Sequence, residues 1–340
     1  MGGGRHEYEL HALTEIFDIL RPTRWMSRQT LPLIATLVVC ALLYTSASIY
    51  FRDLNFFTSD VFIGFFRDES FLGVAALGTT FVILSGGIDL SVGSMVGCSG
   101  IVVATLIERA HIHPFLAMAM VLVGATLVGT VMGSLIHFFQ LTPFLVTLGG
   151  LFVLRGAALL VSEESVPITH PIYVQLSSMS IPIGFGIELP LTAAIFLALA
   201  AALMLVASQT RFGRNAYAAG GNEMSATLMG LPVAATKIGV YSLGCFCGGL
   251  AGLVFTLITQ SGNAVAGAGM ELDAIATAVI GGTLLSGGVG FPAGTVLGVV
   301  TFAIIQTSIT YLGWNSWDSR IAIGGLLLAF LLIQRLIQSR

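Results

Sequence analysis

Apolar residues in this chain occur in long runs rather than in alternation with polar residues. Ten such runs are of helical length, and most approach the roughly 20 residues that a helix needs to cross a bilayer. We therefore predict an all-α polytopic membrane protein with about ten transmembrane helices. The predicted spans cover residues 31–50, 70–86, 90–107, 115–138, 144–162, 190–208, 237–258, 271–287, 293–311 and 320–337.

Two polar stretches divide the chain. Residues 1–30 precede the first apolar run. We expect no signal peptide there, because they lack a short apolar run followed by a small-residue cleavage site. Apolar side chains recur at helical spacing over residues 7–20, which fits either an amphipathic helix on the membrane or on a partner, or a partly ordered tail. The rest is predicted to be a single transmembrane domain, 31–337, with a polar loop at 209–236.

Charged residues are scarce. The 340 residues include 14 Lys and Arg and 17 Asp and Glu, or 9%, whereas soluble domains carry about 25%. So few charges cannot cover the surface of a soluble protein of this size, which excludes an ordinary cytosolic enzyme. The net charge of −3 provides no basic field for nucleic acid. The four cysteines lie in apolar runs and are interpreted as small buried hydrophobic residues: Cys40, Cys98, Cys245 and Cys247.

The single lysine of the chain, Lys237, excludes a P-loop, because no Gly-x-x-x-x-Gly-Lys-[Ser/Thr] motif can be written around it. If ATP drives this protein, another chain must hydrolyse it. The sequence also shows no metal spacing of His, Cys, Asp or Glu and no hydrolase motif. We therefore expect no catalytic residues, no metal and no cofactor bound by this chain.

The positions of the cations predict the orientation of the chain. With the N-terminus in the cytoplasm, nine Lys and Arg residues fall on the cytoplasmic side and four on the outer side, while Arg155 falls within a span. The outer segment 163–189 contains no Lys or Arg at all. Both termini are therefore predicted to be cytoplasmic.

A short element occurs twice in the apolar region. Leu84-Ser-Gly-Gly87 recurs as Leu285-Ser-Gly-Gly288, and the same offset pairs further glycines. Internal repeats and broken helices are typical of transporters, although a chain with 41 glycines also produces such matches by chance. After the first copy, Asp89 or Ser91 is suited to cap the next helix. This segment is either a tight turn or a broken helix that lines a pathway.

The loop 209–236 contains the pattern of one short helix. Gly220 and Gly221 are expected to break the chain before it, and Pro232 prevents its continuation. A helix of this length is not stable alone in water, so the rest of the protein or a soluble partner must cover it. We favour a partner. Asn222 is the expected capping residue, and Glu223 is the acidic residue of the first turn. Met224, Leu228 and Met229 supply an apolar side, and Gly230 ends the helix.

Arg155 is the clearest charged residue within an apolar span, where polar groups are costly and usually functional. Its expected partner is Glu163, two helical turns further on if the helix persists, or Asp273 at the outer start of the eighth span. The alternative is that Arg155 snorkels outward and only anchors its helix.

Two long motifs resemble those of the ribose-type ABC sugar-importer permease family. Ile83-Leu-Ser-Gly-Gly-Ile-Asp-Leu-Ser-Val-Gly-Ser94 is similar to the family signature. Arg211-Phe-Gly-Arg-Asn-Ala-Tyr-Ala-Ala-Gly-Gly-Asn222, continuing to Met229-Gly230, is similar to its coupling segment. The likeness runs from about residue 31 to 335, and residues 1–30 depart from it. Further segments resemble one of the two permeases of bacterial galactofuranose importers: 160–165, 170–173, 271–275 and 279–288.

The resemblance implies the ABC importer permease fold and a subunit that moves a monosaccharide, first of all galactofuranose, from periplasm to cytoplasm across the bacterial inner membrane. It implies three protein partners in addition to membrane lipid. These are an ABC ATPase that holds ATP and Mg, a second permease, and a periplasmic sugar-binding protein. A heterodimer of two different permeases is implied, with a homodimer as the alternative. Asn222 to Gly230 would form the coupling helix, and loops 163–175 and 259–270 would receive the binding protein.

A sugar pathway needs hydrogen-bonding partners for hydroxyl groups and an aromatic ring for stacking. Polar residues in or near the spans supply such groups. The residues predicted to line the pathway are Thr80, Phe81, Ser85, Asp89, Thr147, Arg155, Gln260, Asp273, Thr283 and Gln306.

Two other functions remain open at this stage. A gradient-driven secondary transporter or channel for a small polar solute would work without an ATPase, with Arg155 and Asp273 as relay residues. A membrane enzyme acting on lipid would need a catalytic constellation, and the sequence does not show one.

Overall fold

Helices account for nearly all of the regular structure. A computed structural model describes residues 31–184, 187–313 and 316–338, so the interpretation of residues 7–20 lies outside the described residues. The helices, in chain order, are α1 (Leu31–Tyr50), α2 (Ser59–Asp68), α3 (Ser70–Leu84), α4 (Val92–Glu108), α5 (Pro114–Phe138), α6 (Pro143–Val161), α7 (Pro171–Ser177), α8 (Leu191–Gln209), α9 (Arg211–Gly221), α10 (Glu223–Leu228), α11 (Val233–Thr259), α12 (Met270–Ile280), α13 (Pro292–Tyr311) and α14 (Ser316–Gln338).

Ten of these helices coincide with the ten predicted spans, which confirms the all-α membrane fold. Five of them, α5, α6, α8, α11 and α13, are long and apolar enough to cross a membrane. Shorter apolar helices lie within α1, α3, α4 and α14. The number of crossings and the domain bounds stay predictions.

The eighth span and the polar loop differ from expectation. The apolar pattern predicts a helix to residue 287, but α12 ends at Ile280 because the chain turns at Gly281 and Gly282. Gly282 has a φ of +90°, which residues with side chains rarely adopt. The polar loop begins with a second helix, α9, of which Gly220 and Gly221 form the last turn. The chain breaks one residue later, at Asn222, which is extended.

Helix α11 is the centre of the bundle and packs along α3, α4 and α5. Glycines make this contact close. A Cβ atom at Gly129 would lie 2.3 Å from the carbonyl oxygen of Tyr241, and one at Gly252 would lie 2.6 Å from that of Val96. Small residues at these positions thus let the helix backbones approach closely.

The two ends of α11 define two ends of the bundle. Its 27 residues extend over about 40 Å at 1.5 Å per residue. We call the end that carries α10 the coupling end, and the end at Thr259 the loop end. Two small antiparallel sheets lie at the loop end, pairing β1 (Val166–Pro167) with β4 (Ser261–Gly262) and β2 (Ser180–Gly184) with β3 (Ile187–Pro190).

Candidate functional site

The short helix predicted at the coupling end is present as α10. The side chain of Asn222 accepts a hydrogen bond from the backbone N–H of Ser225 at 2.8 Å, as expected of a cap. The Glu223 carboxylate in the first turn also pairs with the Lys237 ammonium of α11 at 2.6 Å. Gly230, with a φ of +76°, turns the chain away after the helix. The sequence pattern of this helix is thus confirmed in detail.

Three apolar side chains project from α10 and the residue after it. Met224, Leu228 and Met229 are 76%, 81% and 78% exposed. Ala226, in contrast, is buried, and its carbonyl accepts a hydrogen bond from the N–H of Leu231 at 3.1 Å, which closes the end of the helix. The buried Ala226 and the pair of Glu223 with Lys237 hold the helix against the bundle. A preformed helix with an exposed apolar side is suited to dock against a partner.

The two copies of Leu-Ser-Gly-Gly meet each other at the end of α9. The N–H of Gly288 donates to the carbonyl oxygen of Leu84 at 2.9 Å. Gly220 lies against both: a Cβ atom there would be 1.8 Å from that oxygen and 2.8 Å from the Gly288 nitrogen. Each copy turns through a glycine of positive φ, Gly86 and Gly287. We call this contact the glycine joint. The first copy is therefore a turn between α3 and α4.

Side chains of α9 fix it further to the same two regions. The ring of Phe212 stacks on that of Phe81, with 6.3 Å between centroids and 14° between planes. The hydroxyl of Tyr217 donates to the carbonyl of Gly290, just after the second copy, at 2.7 Å. Because α9 leads directly into α10, a displacement of α10 would reach both repeat turns. This connection was not predicted from the sequence, because the residues before Asn222 were expected to form a loop.

The hydroxyl residues predicted to line a pathway are buried in the bundle. Thr80, Ser85 and Thr147 each donate to a carbonyl of their own helix, at 2.7, 2.8 and 3.0 Å. The Thr80 hydroxyl also lies 2.6 Å from that of Thr295 on α13. The Thr147 hydroxyl also lies 3.2 Å from the carbonyl oxygen of Ile88, before α4. Thr80 and Thr147 therefore connect separate elements, whereas the bond of Ser85 is local, and the contact of all three with substrate stays a prediction.

The remaining buried candidates lie near the glycine joint. Asp89 is 1% exposed, and its carboxylate accepts hydrogen bonds from the N–H of Ser91 at 2.7 Å and from its hydroxyl at 2.6 Å. This geometry orders the turn before α4. The predicted cap by Asp89 or Ser91 is wrong, because Asp89 bonds Ser91 outside the helix and the Ser91 side chain makes no capping hydrogen bond. Phe81 and Thr283 are fully buried. Their predicted role in a pathway is untested.

Arg155 has partners other than the predicted ones. One guanidinium nitrogen donates to the carbonyl oxygens of Ala264 at 2.6 Å and Ala266 at 2.9 Å. Glu163 is not its partner, because α6 ends at Val161 and the chain becomes extended. Asp273 is not bonded to it either. Both predicted pairings are wrong, and so is the snorkelling alternative, since the side chain ties α6 to the segment before α12.

The two loops predicted to receive a binding protein lie side by side at the loop end. Gln260 joins them: its amide donates to the hydroxyl of Ser177 at 2.8 Å, and its carbonyl accepts from the N–H of Ile168 at 2.8 Å. The pairing of β1 with β4 continues this contact. Together they form one continuous surface, and its docking role stays a prediction.

Asp273 and Gln306 line a cavity of about 770 Å³ at the loop end. The cavity also includes Glu69 and Arg320, which the sequence analysis did not single out. A signal was available, because Arg67-Asp-Glu69 directly precedes an apolar run. Of the predicted pathway residues, these two therefore lie together at an open space.

Comparisons with known proteins agree on the class of this chain. Residues 62–331 match the family model described as branched-chain amino acid transport system/permease component. The inner membrane ABC transporter permease protein YjfF of Escherichia coli K12 is 46% identical over 91% of this chain and 93% of its own. The fructose import permease protein FruG of Bifidobacterium longum is 33% identical over 92% of this chain and 93% of its own. The ribose import permease protein RbsC of Bacillus subtilis is 34% identical over 79% of this chain and 83% of its own. No solved structure matches the chain.

Proposed function

Because this chain belongs to the family of branched-chain amino acid transport system permease components, we propose that it is the membrane-spanning subunit of an ATP-driven importer for a monosaccharide. Relatives named for fructose and ribose import cover most of the chain and support a sugar over an amino acid. Galactofuranose is our first candidate, on the likeness of segments 160–165, 170–173 and 279–288.

The observation that carries this proposal is the preformed helix α10 with its exposed apolar side. A chain without a P-loop needs a partner that hydrolyses ATP. Met224, Leu228 and Met229 offer that partner an apolar contact on a helix that is already ordered. Docking therefore costs little conformational entropy.

The coupling end faces the cytoplasm in this proposal, and the loop end faces the periplasm. The excess of cations on the coupling side supports this orientation, as does the absence of Lys and Arg from residues 163–189. A soluble sugar-binding protein docks on the joined loops 163–175 and 259–270. A second, different permease completes the pathway.

Transport follows from motion of α10. When the two ATPases close, they displace α10, and α9 carries the displacement through the glycine joint to the ends of α3 and α12. Two arrangements of the bundle, open to either side, then exchange. The sugar passes unchanged, so this chain supplies no catalytic group.

The test is to tag the chain, extract it gently from its native membrane and identify the co-purifying proteins. The complex is then placed in vesicles and assayed for uptake of galactofuranose, ribose, fructose and allose. An ATPase with a second permease and ATP-dependent uptake would support the whole proposal, and an ATPase with this permease alone would support a homodimer. Transport by the isolated chain on a gradient without ATP would overturn it in favour of a secondary carrier or channel.

A further inference from the structure

The cavity at the loop end lies where five helices meet. One side of α2 along its whole length, Glu69 just before α3, the first turn of α12, the last turns of α13 and the start of α14 form its walls. A volume of about 770 Å³ falls within the range of sites for small molecules. The cavity is thus large enough for a monosaccharide together with water.

Its lining combines acceptors, donors and aromatic rings. Four carboxylates face two guanidinium groups and one amide, and the residues are Asp60, Asp68, Glu69, Asp273, Arg67, Arg320 and Gln306. Arg67 and Asp68 form an ion pair with each other at 2.8 Å and are exposed, so they contribute least to the binding of a ligand. The carboxylate of Asp273 faces the Arg320 guanidinium. In the part of the chain that the structure describes, Asp60 and Glu69 form no ion pair and remain as acceptors.

Aromatic packing makes one wall of the cavity rigid. The rings of Phe65 and Tyr311 line the cavity. Behind them, Phe56 contacts both, with ring centroids 6.0 and 5.7 Å apart. Phe51 contacts Tyr311 in an edge-to-face arrangement at 5.6 Å. A wall held in this way needs little reorganisation when a ligand binds.

Glu69 is the lining residue to which a bound ligand would supply hydrogen-bond donors. Within the residues that the structure describes, no group donates a hydrogen bond to its carboxylate, and the residue is half-buried, so the carboxylate is open to the cavity. Burial, and then the negative charges of Asp68 and Asp273, raises the pKa of Glu69 to about 7. A carboxylate in this position is stabilised by any donor that enters the cavity. No group of three or more His, Cys, Asp or Glu in the described part of the chain is arranged to hold a metal ion.

We propose that this cavity is a monosaccharide-binding site, in which sugar hydroxyls donate to Glu69 and Asp273 and accept from Gln306 and Arg320. A sugar hydroxyl is both donor and acceptor, which matches this mixed lining. The ring of Tyr311 offers apolar surface to the C–H face of the sugar, with the buried ring of Phe65 beside it. The assignment rests on the proposed function for the class of ligand, and it places the first contact of the sugar with this chain at the loop end.

Direct binding tests the site. The purified assembled complex is titrated with galactofuranose, D-ribose and D-allose by saturation-transfer NMR, in the absence of ATP and of the binding protein. We expect Glu69→Gln and Asp273→Asn to weaken binding at least tenfold. The matched control is Asp53→Asn, an exposed carboxylate outside the cavity, which should leave binding unchanged. Equal affinity in all three variants would overturn the proposal.

The pH profile separates contact from a structural effect. Above pH 7 Glu69 is ionised and accepts hydrogen bonds, so the sugar should bind several-fold more tightly at pH 8 than at pH 6. Glu69→Gln should lose this difference. The charged groups that face Glu69 are the residues of α2, α12 and α14 given above. Asp60→Asn and Asp273→Asn measure how much these two carboxylates contribute to the pH dependence of sugar binding. Tighter binding at pH 6 in the unmodified complex would overturn the role of Glu69 as acceptor.

Three further results test the site separately from the proposed function. ATP-driven uptake that continues at the normal rate in Glu69→Gln and Asp273→Asn would remove the cavity from the pathway and leave the importer intact. Binding of L-lysine amide in place of any sugar would overturn the sugar site and assign the cavity to a basic side chain of a partner. A complex that binds sugar in the cavity but transports none with ATP would sustain the site and refute the importer.

Discussion

The two ends of the bundle are built in opposite ways. At the coupling end, backbone meets backbone: Gly220 fits between Leu84 and Gly288 with no room for a methyl group. At the loop end, long charged side chains surround an open cavity of about 770 Å³. Close-packed backbone transmits a displacement with little loss, whereas side chains around a cavity can adjust to a ligand. The difference is consistent with our proposals that the coupling end transmits motion and that the loop end binds the sugar.

The largest effect is expected at the exposed side of α10. Replacing both Met224 and Leu228 with Asp should abolish ATP-driven uptake, because two charges would have to be desolvated in the contact with the ATPase. The chain should still reach the membrane, and the ATPase should no longer co-purify.

The matched control keeps this surface apolar. Met224→Leu combined with Leu228→Met conserves volume and should leave uptake near normal. Full uptake in the double Asp variant would remove the coupling role from this end of the molecule.

The second-largest effect is expected at the glycine joint. Gly220→Ala should destabilise the purified protein by about 3 kcal/mol, since overpacking typically costs about 1–3 kcal/mol and the new methyl group would meet the Leu84 carbonyl. Thermal unfolding and uptake measure it.

The adjacent glycine provides the control for this variant. A Cβ at Gly221 meets nothing within 4 Å, so Gly221→Ala should behave like the unmodified chain. If Gly220→Ala were as stable and as active as Gly221→Ala, the joint would not be a rigid contact.

Arg155 lies between the two ends and should give a smaller effect. Arg155→Leu leaves the carbonyls of Ala264 and Ala266 without their donor, which costs about 2 kcal/mol for buried groups. We expect a lower melting temperature and reduced amounts of assembled complex. Arg155→Lys, which keeps a donor, should recover part of the loss. Normal stability in Arg155→Leu would show that the segment before α12 is held by other contacts.

The smallest effect concerns the cap of α10. Asn222→Ala removes the acceptor for the Ser225 N–H and should cost about 1 kcal/mol locally, which lowers uptake without abolishing it. Asn222→Asp retains an acceptor and should restore uptake. Equal uptake in the two variants would mean that the partner, and not the cap, orders this helix.

Local patterns predicted most of the fold. Long apolar runs predict helices because their length is set by the bilayer, and Asn222 and Gly230 predict the ends of α10 because caps act within one turn. The partner of Arg155 was not predictable, because it depends on where α6 ends and on carbonyls more than a hundred residues away. The cavity was missed for the same reason, since Glu69, Asp273 and Arg320 come together only in the folded chain.

The pairing of Lys237 with Glu223 has a practical consequence for chemical labelling. Lys237 is the single lysine of the chain, and its side chain is 16% exposed beside α10. Apart from the amino terminus, an amine-reactive probe therefore has one target in this protein, and that target adjoins the surface proposed to contact the ATPase. The rate of its modification, followed by mass spectrometry of intact cells, would report how much of this subunit is assembled at any moment.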